Sequence, residues 1–195
     1  MSPISRRLAI VVLHTFLLTL AVSSDAGAQG FISPFLGFNF GGDAGCPEIT
    51  GCEDKNLNWG VAAGAMGSVL GFEEEFGYAT NFFGESPTQS SNVLTLMSNL
   101  MLVPKIGPVR PYFLTGVGLI KTHVELTPSS VLASDNNSFG WDIGGGVMGM
   151  FGDHVGVRGE IRYFHAFQDL DVLGVNLSST KIDFGRAAAG LVLKF

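Results

Sequence analysis

Apolar and polar residues alternate along most of the chain after residue 29, with the two-residue period of a β-strand. The segments with this pattern are Phe31–Phe40, Leu57–Ala65, Phe72–Phe83, Asn92–Val103, Pro111–Glu125, Phe139–Phe151, Val155–Phe167 and Lys181–Phe195. Most contain roughly 9–15 residues, which is long for a soluble sheet and sufficient for a tilted strand to cross a bilayer. The pattern therefore predicts an all-β protein with eight strands.

The connections between these segments alternate in length. The long ones are Gly41–Asn56, Gly84–Ser91, Leu126–Ser138 and Gln168–Thr180, and the short ones are Met66–Gly71, Pro104–Arg110 and Gly152–His154. Long loops outside the cell and short periplasmic turns produce this alternation in membrane barrels. We therefore expect an eight-stranded antiparallel up-and-down transmembrane β-barrel with both termini in the periplasm.

The strands have one apolar and one charged face. Phe72, Phe76 and Phe82 share a face predicted to contact lipid, where the charge of Glu74 is tolerable only near the periplasmic interface. Counting back from Phe195 by twos places Arg186 and Lys194 on the inner face of the last strand. The charged residues assigned to a network in the lumen are Glu73, Glu75, Asp142, Arg158, Glu160, Arg162 and Arg186.

This inward charge has two interpretations. An eight-stranded barrel is just wide enough inside for side chains to fill it, and pairing avoids the cost of burying single charges. The favoured interpretation is a network that neutralises and plugs the lumen, and the alternative is an ion pathway or catalytic cluster. The facing of Pro111–Glu125 stays open, because Gly116 and Gly118 fit on either side.

The first 28 residues of the chain indicate export. Arg6 and Arg7 precede the apolar stretch Leu8–Val22, and Ala26-Gly27-Ala28 forms a small-x-small cleavage site, so residues 1–28 are predicted to be a cleaved signal peptide. Residues 29–195 then form one barrel domain.

Aromatic residues near strand ends or on outward faces predict interfacial girdles: Phe35, Trp59, Phe82, Phe83, Tyr112, Trp141, Tyr163 and Phe195.

Composition narrows the function classes. The chain is 46% hydrophobic and 14% charged, and its 27 glycines and 16 phenylalanines favour β-structure. Its net charge of −6, with no basic cluster, argues against nucleic-acid binding. Cys46 and Cys52 predict a small disulfide loop in an exported protein, without nearby residues for a metal site. Gly144-Gly145-Gly146 lacks the features of a phosphate-binding loop, and no cofactor is predicted.

Several runs resemble the outer-membrane protein β-barrel domain family of small porin-like proteins of Gram-negative bacteria. They are Gly71-Phe72-Glu73-Glu74-Glu75-Phe76-Gly77-Tyr78, Arg110-Pro111-Tyr112, Val157-Arg158-Gly159-Glu160-Ile161-Arg162-Tyr163-Phe164 and the terminal Phe195. The resemblance implies the bacterial outer membrane as location, with its lipid and lipopolysaccharide as partners. It also implies that the barrel assembly machinery reads Phe195 as an assembly signal.

Three functions are compatible with these observations. The favoured one is a non-enzymatic, plugged barrel with a structural and surface-interaction role, whose loops form an acidic crown that could bind cations or an extracellular ligand. The crown residues are Asp43, Glu48, Glu53, Asp54, Glu85, Asp135, Asp169 and Asp171. The alternatives are a narrow channel for small solutes and a lipid-modifying enzyme at the rim. The last is least favoured, because lipid A deacylases of this shape use a His-x-Ser arrangement, and two positions after His165 this chain has Phe167 in place of the serine. The sequence names neither the loop ligand nor the oligomeric state, and it does not decide whether the lumen conducts.

Overall fold

The structure is a computed structural model that describes residues 28–42, 44, 57–82, 89–104, 106–107, 109–126, 132–172 and 175–195. The predicted signal peptide, apart from its last residue, lies outside these ranges, as do Cys46 and Cys52. The cleavage and the disulfide therefore stay predictions. Within the described ranges, no helix is both long enough and apolar enough to span a membrane.

The described chain is a ring of strands, each antiparallel to its neighbours. Their bounds are β1 Gln29–Phe40, β2 Leu57–Met66, β3 Leu70–Thr80, β4 Gln89–Leu102, β5 Val109–Leu126, β6 Leu132–Phe151, β7 Val155–Val172 and β8 Val175–Lys194. Consecutive strands pair in order, and β8 pairs with β1 to close the barrel. The predicted eight-stranded antiparallel up-and-down barrel is confirmed.

The end of the chain closes the ring. Phe31 pairs with Lys194 and Phe40 pairs with Gly185 across the β1–β8 seam. The backbone N–H of Phe195 donates to the carbonyl of Gly30 at 3.0 Å, so the ladder continues to the last residue. Pairing across this seam closes the ring, so the described strands leave no open sheet edge to lipid.

The strands extend further than predicted at the end of the barrel with long connections. β6 begins at Leu132 rather than Phe139, β8 begins at Val175 rather than Lys181, and β7 reaches Val172 rather than Phe167. Much of the two predicted loops 126–138 and 168–180 is therefore strand. The residues that extend β6, 132–138, are mostly polar, and the pairing of the β7 and β8 extensions includes register shifts after His165. At the opposite end the turns are short, and Gly107 and Gly152 adopt positive φ values of 66° and 85° there.

The inward and outward faces follow the predicted alternation, and the structure settles the facing of β5. Tyr112, Leu114 and Ile120 are buried in the lumen, and Phe113 and Val117 are exposed on the outside. The lumen-facing residues of β5 are therefore the even-numbered ones, including Gly116 and Gly118.

Three residues predicted to be girdle aromatics point inward instead. Phe35, Phe82 and Tyr112 are at most 5% exposed, because Phe35 and Tyr112 occupy lumen-facing positions of their strands. Phe82 follows Asn81, whose φ of 53° ends the alternation of β3. Phe83 lies outside the described residues. Trp59, Tyr163 and Phe195 are outward, as predicted.

The lumen contains two apolar clusters. The turn-side cluster, near the short turns and the termini, consists of Phe31, Met66, Met101, Val103, Tyr112, Leu114, Met148 and Val192. The loop-side cluster, near the long connections, consists of Ala79, Phe82, Val93, Met97, Ile120, Phe164, Ala166, Ile182 and Phe184. The seven charged residues assigned to the lumen network lie between these two clusters along their strands, whereas the inward Lys194, 7% exposed, lies beyond Val192 at the turn-side end.

Candidate functional site

The seven charged residues singled out in the sequence all project into the lumen. Glu73 and Glu75 come from β3, Asp142 comes from β6, and Arg186 comes from β8. Arg158, Glu160 and Arg162 alternate along β7. Every one of the seven is at most 6% exposed. We refer to this set as the charged layer.

Arg162 is the centre of the charged layer. Its Nη2 lies 2.5 Å from Glu73 Oε1 and 2.8 Å from Glu75 Oε2. Its Nε donates to Glu160 Oε1 at 2.7 Å, and its Nη1 lies 3.2 Å from Asp142 Oδ2. One guanidinium thus contacts four carboxylates. The planar fork of arginine suits this role, since its donors point in several fixed directions.

Arg158 and Arg186 complete the pairing on either side. Arg158 Nη1 donates to Glu73 Oε2 at 2.6 Å, and its Nη2 donates to Glu160. Arg186 Nη2 donates to both oxygens of Glu75, at 2.6 and 2.7 Å. The Arg186 guanidinium also lies between two aromatic rings, 4.8 Å from the Phe35 centroid and 4.9 Å from that of Phe164. The Arg186 guanidinium is therefore paired with a carboxylate and also packed against aromatic rings.

The network also contains two neutral residues, Tyr112 and Asn99, which the sequence analysis did not assign to it. The Tyr112 hydroxyl donates to Glu160 Oε2 at 2.7 Å. Asn99, in the amide orientation that satisfies both neighbours, donates to Asp142 Oδ1 at 2.7 Å and accepts from Arg162 Nη1 at 2.9 Å. A polar residue between Met97 and Met101 on an inward face was the available signal for Asn99. Tyr112 had no such signal, because the facing of its strand was open.

The ion pairs cross the lumen. β3 and β7 stand on opposite sides of an eight-membered ring, and Arg158 and Arg162 of β7 both contact Glu73 of β3. Such cross-bracing holds opposite walls together. Among the described residues, no group of three His, Cys, Asp or Glu side chains is arranged to hold a metal.

One polar void beside the charged layer is small. A void of about 10 Å³ is lined by Asn39, Asn58, Thr95 and Arg186, among others. Asn58 Oδ1 and Arg186 Nε have no hydrogen-bond partner within the described structure. A space of this size accommodates about one water molecule and no cofactor.

Glu74, between the two lumenal glutamates, points outward. It is the fifth of the eleven residues of β3, so it lies inside the strand rather than at its end. Its carboxyl oxygens both accept from the Ser98 hydroxyl at 2.8 Å. The lipid-facing carboxyl was expected near the periplasmic interface, and the structure gives it a hydrogen-bonding neighbour on β4.

A second polar pair lies on the outer wall where β7 and β8 leave the belt. His165 Nδ1 is 2.5 Å from Asp183 Oδ1, and the two residues are direct cross-strand partners. Trp141 packs against the imidazole with ring centroids 5.5 Å apart. His165 was considered alone in the sequence. Its acidic partner depends on the β7–β8 register, which sequence alternation does not provide.

A closed barrel with an apolar outer wall and a charged interior defines an integral membrane protein that crosses the bilayer with strands. The chain belongs to the family described as outer membrane protein beta-barrel domain, which matches residues 14–195. It is therefore a bacterial outer-membrane β-barrel protein. A comparison with curated protein sequences gives no significant match.

Solved structures show the same fold. Neisserial surface protein A (NspA) is 17% identical, with a TM-score of 0.61 over 87% of this chain and 97% of that chain. A major outer membrane protein from Thermus thermophilus is 14% identical, with a TM-score of 0.58 over 86% and 99%. Ail, the attachment invasion locus protein of Yersinia pestis, is 13% identical, with a TM-score of 0.53 over 86% and 97%. At these identities the likeness concerns the fold alone.

Proposed function

We propose that this protein is a non-enzymatic outer-membrane barrel with a closed lumen, which supports the bilayer and presents its loops to the outside. The observation that carries the proposal is the charged layer enclosed between two apolar clusters. Three arginines and four carboxylates fill the middle of the lumen. Apolar side chains such as Met148 and Phe164 fill it on either side.

This arrangement favours a plug over a channel. A conducting pore needs a wetted path, and apolar constrictions oppose wetting. An ion crossing this lumen would pass both apolar clusters and would compete with ion pairs of 2.5–2.8 Å such as those from Arg162 to Glu73 and Glu75. A narrow channel for small solutes is the alternative. It requires a rearrangement of the charged layer and of both apolar clusters.

The topology follows from the lengths of the connections. We place the short turns and both termini in the periplasm and the long connections outside, as is usual for bacterial barrels. The outer loops then carry the predicted acidic crown, for example Asp43, Glu48 and Glu85. Ail has been crystallised with the polyanionic heparin analogue sucrose octasulfate. Acidic loops would repel such a ligand, so we propose cations or cationic groups as their partners.

Planar-bilayer recording of the purified, folded protein tests the closed lumen. We expect no discrete conductance steps under conditions in which a known porin, reconstituted in the same lipid, shows them. Reproducible single-channel steps would overturn the plug and favour the channel.

Lipid A mass spectrometry tests the non-enzymatic role. The spectra are expected to be unchanged when the protein is expressed, and deacylated lipid A would contradict this role.

Proteolysis of intact cells tests the topology. Cleavage is expected only within residues 41–56, 126–138 and 168–180, which are proposed to lie outside, and within the last two ranges it is expected between the paired strands, after β5 ends at Leu126 and after β7 ends at Val172. The short turn 66–71 serves as the internal control, since it is proposed to face the periplasm. A cut there from outside would reverse the orientation.

A further inference from the structure

The outer wall formed by β2, β3 and β4 contains the carboxyl of Glu74. The outward residues before and after it on β3 are Phe72 and Phe76, so the carboxyl lies within an apolar stretch of the wall. Ionisable groups in the membrane-spanning part of a protein are costly, and they usually have a partner of matching chemistry. The wall therefore calls for a polar partner at the position of Glu74.

The row of the sheet that contains Glu74 has short side chains on both sides of it. Cross-strand pairing places Ala63 of β2 on one side and Ser98 of β4 on the other. The short side chains allow a second wall to approach within hydrogen-bonding distance of the carboxyl. Each flanking row contains a phenylalanine and a leucine, and these rows are Val61, Phe76 and Leu96, and Ala65, Phe72 and Leu100.

The Glu74–Ser98 pair is complementary to a second copy of itself. The Ser98 hydroxyl donates to both oxygens of the Glu74 carboxyl at 2.8 Å. In its neutral form the carboxyl adds an O–H donor and keeps acceptor lone pairs. The acyl chains of the bilayer have neither donors nor acceptors, so they leave this capacity unused. Another Glu74–Ser98 pair supplies both.

We propose that this wall is the contact face of a homodimer in which the Glu74–Ser98 pairs of two copies hydrogen-bond to each other. Two copies inserted in the same direction are related by a two-fold axis along the membrane normal, so each residue meets the partner wall at its own depth. Glu74 and Ser98 are direct cross-strand partners and lie at similar depths. With this row on the axis, the neutral carboxyl of each copy donates to a carboxyl oxygen of the other.

The contact face is independent of the interior of the barrel. Glu74 points away from the lumen, and its neighbours Glu73 and Glu75 belong to the charged layer. The proposal therefore rests on the outer-membrane location alone, and it holds whether or not the lumen conducts.

Fluorescence energy transfer between copies of the folded full-length protein tests the dimer. Donor-labelled and acceptor-labelled protein are reconstituted together in vesicles over a range of protein-to-lipid ratios. We expect transfer that follows a monomer–dimer equilibrium and exceeds the transfer between labels distributed at random. Random transfer alone for the wild-type protein would overturn the proposal.

Two substitutions of Glu74 test the hydrogen bonds between the copies. Glu74→Leu removes the donor and the acceptors, and we expect about tenfold weaker association through loss of the two symmetric hydrogen bonds. Glu74→Gln keeps a donor and an acceptor without a charge, so it should associate like the wild type. Asp183→Leu is the matched control, because it removes an outward carboxyl on β8, away from this wall, and it should also associate like the wild type.

A second pair of variants tests the close approach of the two walls and leaves Glu74 in place. Ala63→Phe fills the space beside the carboxyl, so it should weaken association. Ala189→Phe makes the same change at an exposed position of β8 and should leave association unchanged.

Three results would contradict the proposed face. Wild-type affinity of Glu74→Leu would place the dimer contact on another face. Equal weakening by Glu74→Gln and Glu74→Leu would show that the carboxyl acts through its charge and not through a neutral pair. Equal association of Ala63→Phe and Ala189→Phe would show that the walls do not meet at this row. Heat-dependent migration on gels verifies that each variant is folded, so a loss of association is not a loss of fold.

Discussion

Three consecutive glutamates of β3 occupy two different environments, and their contrast explains how this barrel wall works. Glu73 and Glu75 face the lumen, and each contacts two arginines within 2.8 Å. Glu74 faces the opposite way, and the described contact of its carboxyl is the neutral Ser98 hydroxyl at 2.8 Å. The alternation of a single strand thus gives one residue type two chemical roles.

The inner glutamates are bound into a network, whereas the outer one is only accommodated. Taking a carboxylate out of water is costly unless opposite charges and hydrogen bonds replace the water. Glu73 has this replacement in Arg158 and Arg162. Glu74 has one hydroxyl neighbour and an apolar surrounding, so its substitution should disturb little. The predictions below set the two faces against each other.

Replacing Arg162 should have the largest effect on the inner face. Arg162→Met leaves four carboxylates close together around an apolar side chain. We expect a loss of about 3–5 kcal/mol in the free energy of unfolding, as when one partner of a buried ion pair is removed. Urea unfolding in lipid vesicles, followed by tryptophan fluorescence, measures it.

Arg110→Met is the matched control for Arg162→Met. Arg110 lies at the start of β5, outside the charged layer, and only part of its surface is buried. We expect a change within about 0.5 kcal/mol there, as is usual for surface substitutions. Equal losses in both variants would mean that the charge of the chain matters and the pairing in the lumen does not.

Arg158→Ala should destabilise the barrel less than Arg162→Met. It removes one partner each from Glu73 and Glu160, but Arg162 still contacts both carboxylates. We expect a loss of about 2–3 kcal/mol, the range of a lost charge-assisted hydrogen bond. An unchanged urea midpoint would show that the contacts of Arg158 do not brace the lumen.

Much of this fold could be predicted because a membrane barrel repeats one simple rule. The alternation around residues such as Glu73 and Arg158 marks both the strands and their inner faces. The prediction missed the extensions of β6 and β8, because the added residues of β6 are mostly polar and the β7–β8 pairing shifts register after His165. It also missed the turn at Asn81 that carries Phe82 into the lumen.

The site was predictable as a set of residues but not as a set of contacts. Strand parity places Arg162 inside. Its choice of Glu73, Glu75, Asp142 and Glu160 depends on the shear of the closed ring, which sequence does not state. The same limit hid the partner of His165, since the β7–β8 register pairs it with Asp183. Contacts across the ring thus need the three-dimensional closure.

The smallest expected effect is the sharpest test of the contrast between the two faces. Glu73→Gln and Glu74→Gln make the same chemical change at adjacent positions. Glu73→Gln places an amide against Arg158 and Arg162, and we expect a loss of about 2 kcal/mol through weakened charged hydrogen bonds. Glu74→Gln keeps a carbonyl oxygen for the Ser98 hydroxyl and removes the ionisable group from the lipid-facing wall, so we expect a change below about 0.5 kcal/mol. Parallel urea titrations of the two variants in the same vesicles measure the difference. Equal destabilisation would show that the carboxyl of Glu74 has a structural role on the lipid side comparable to that of Glu73 in the lumen.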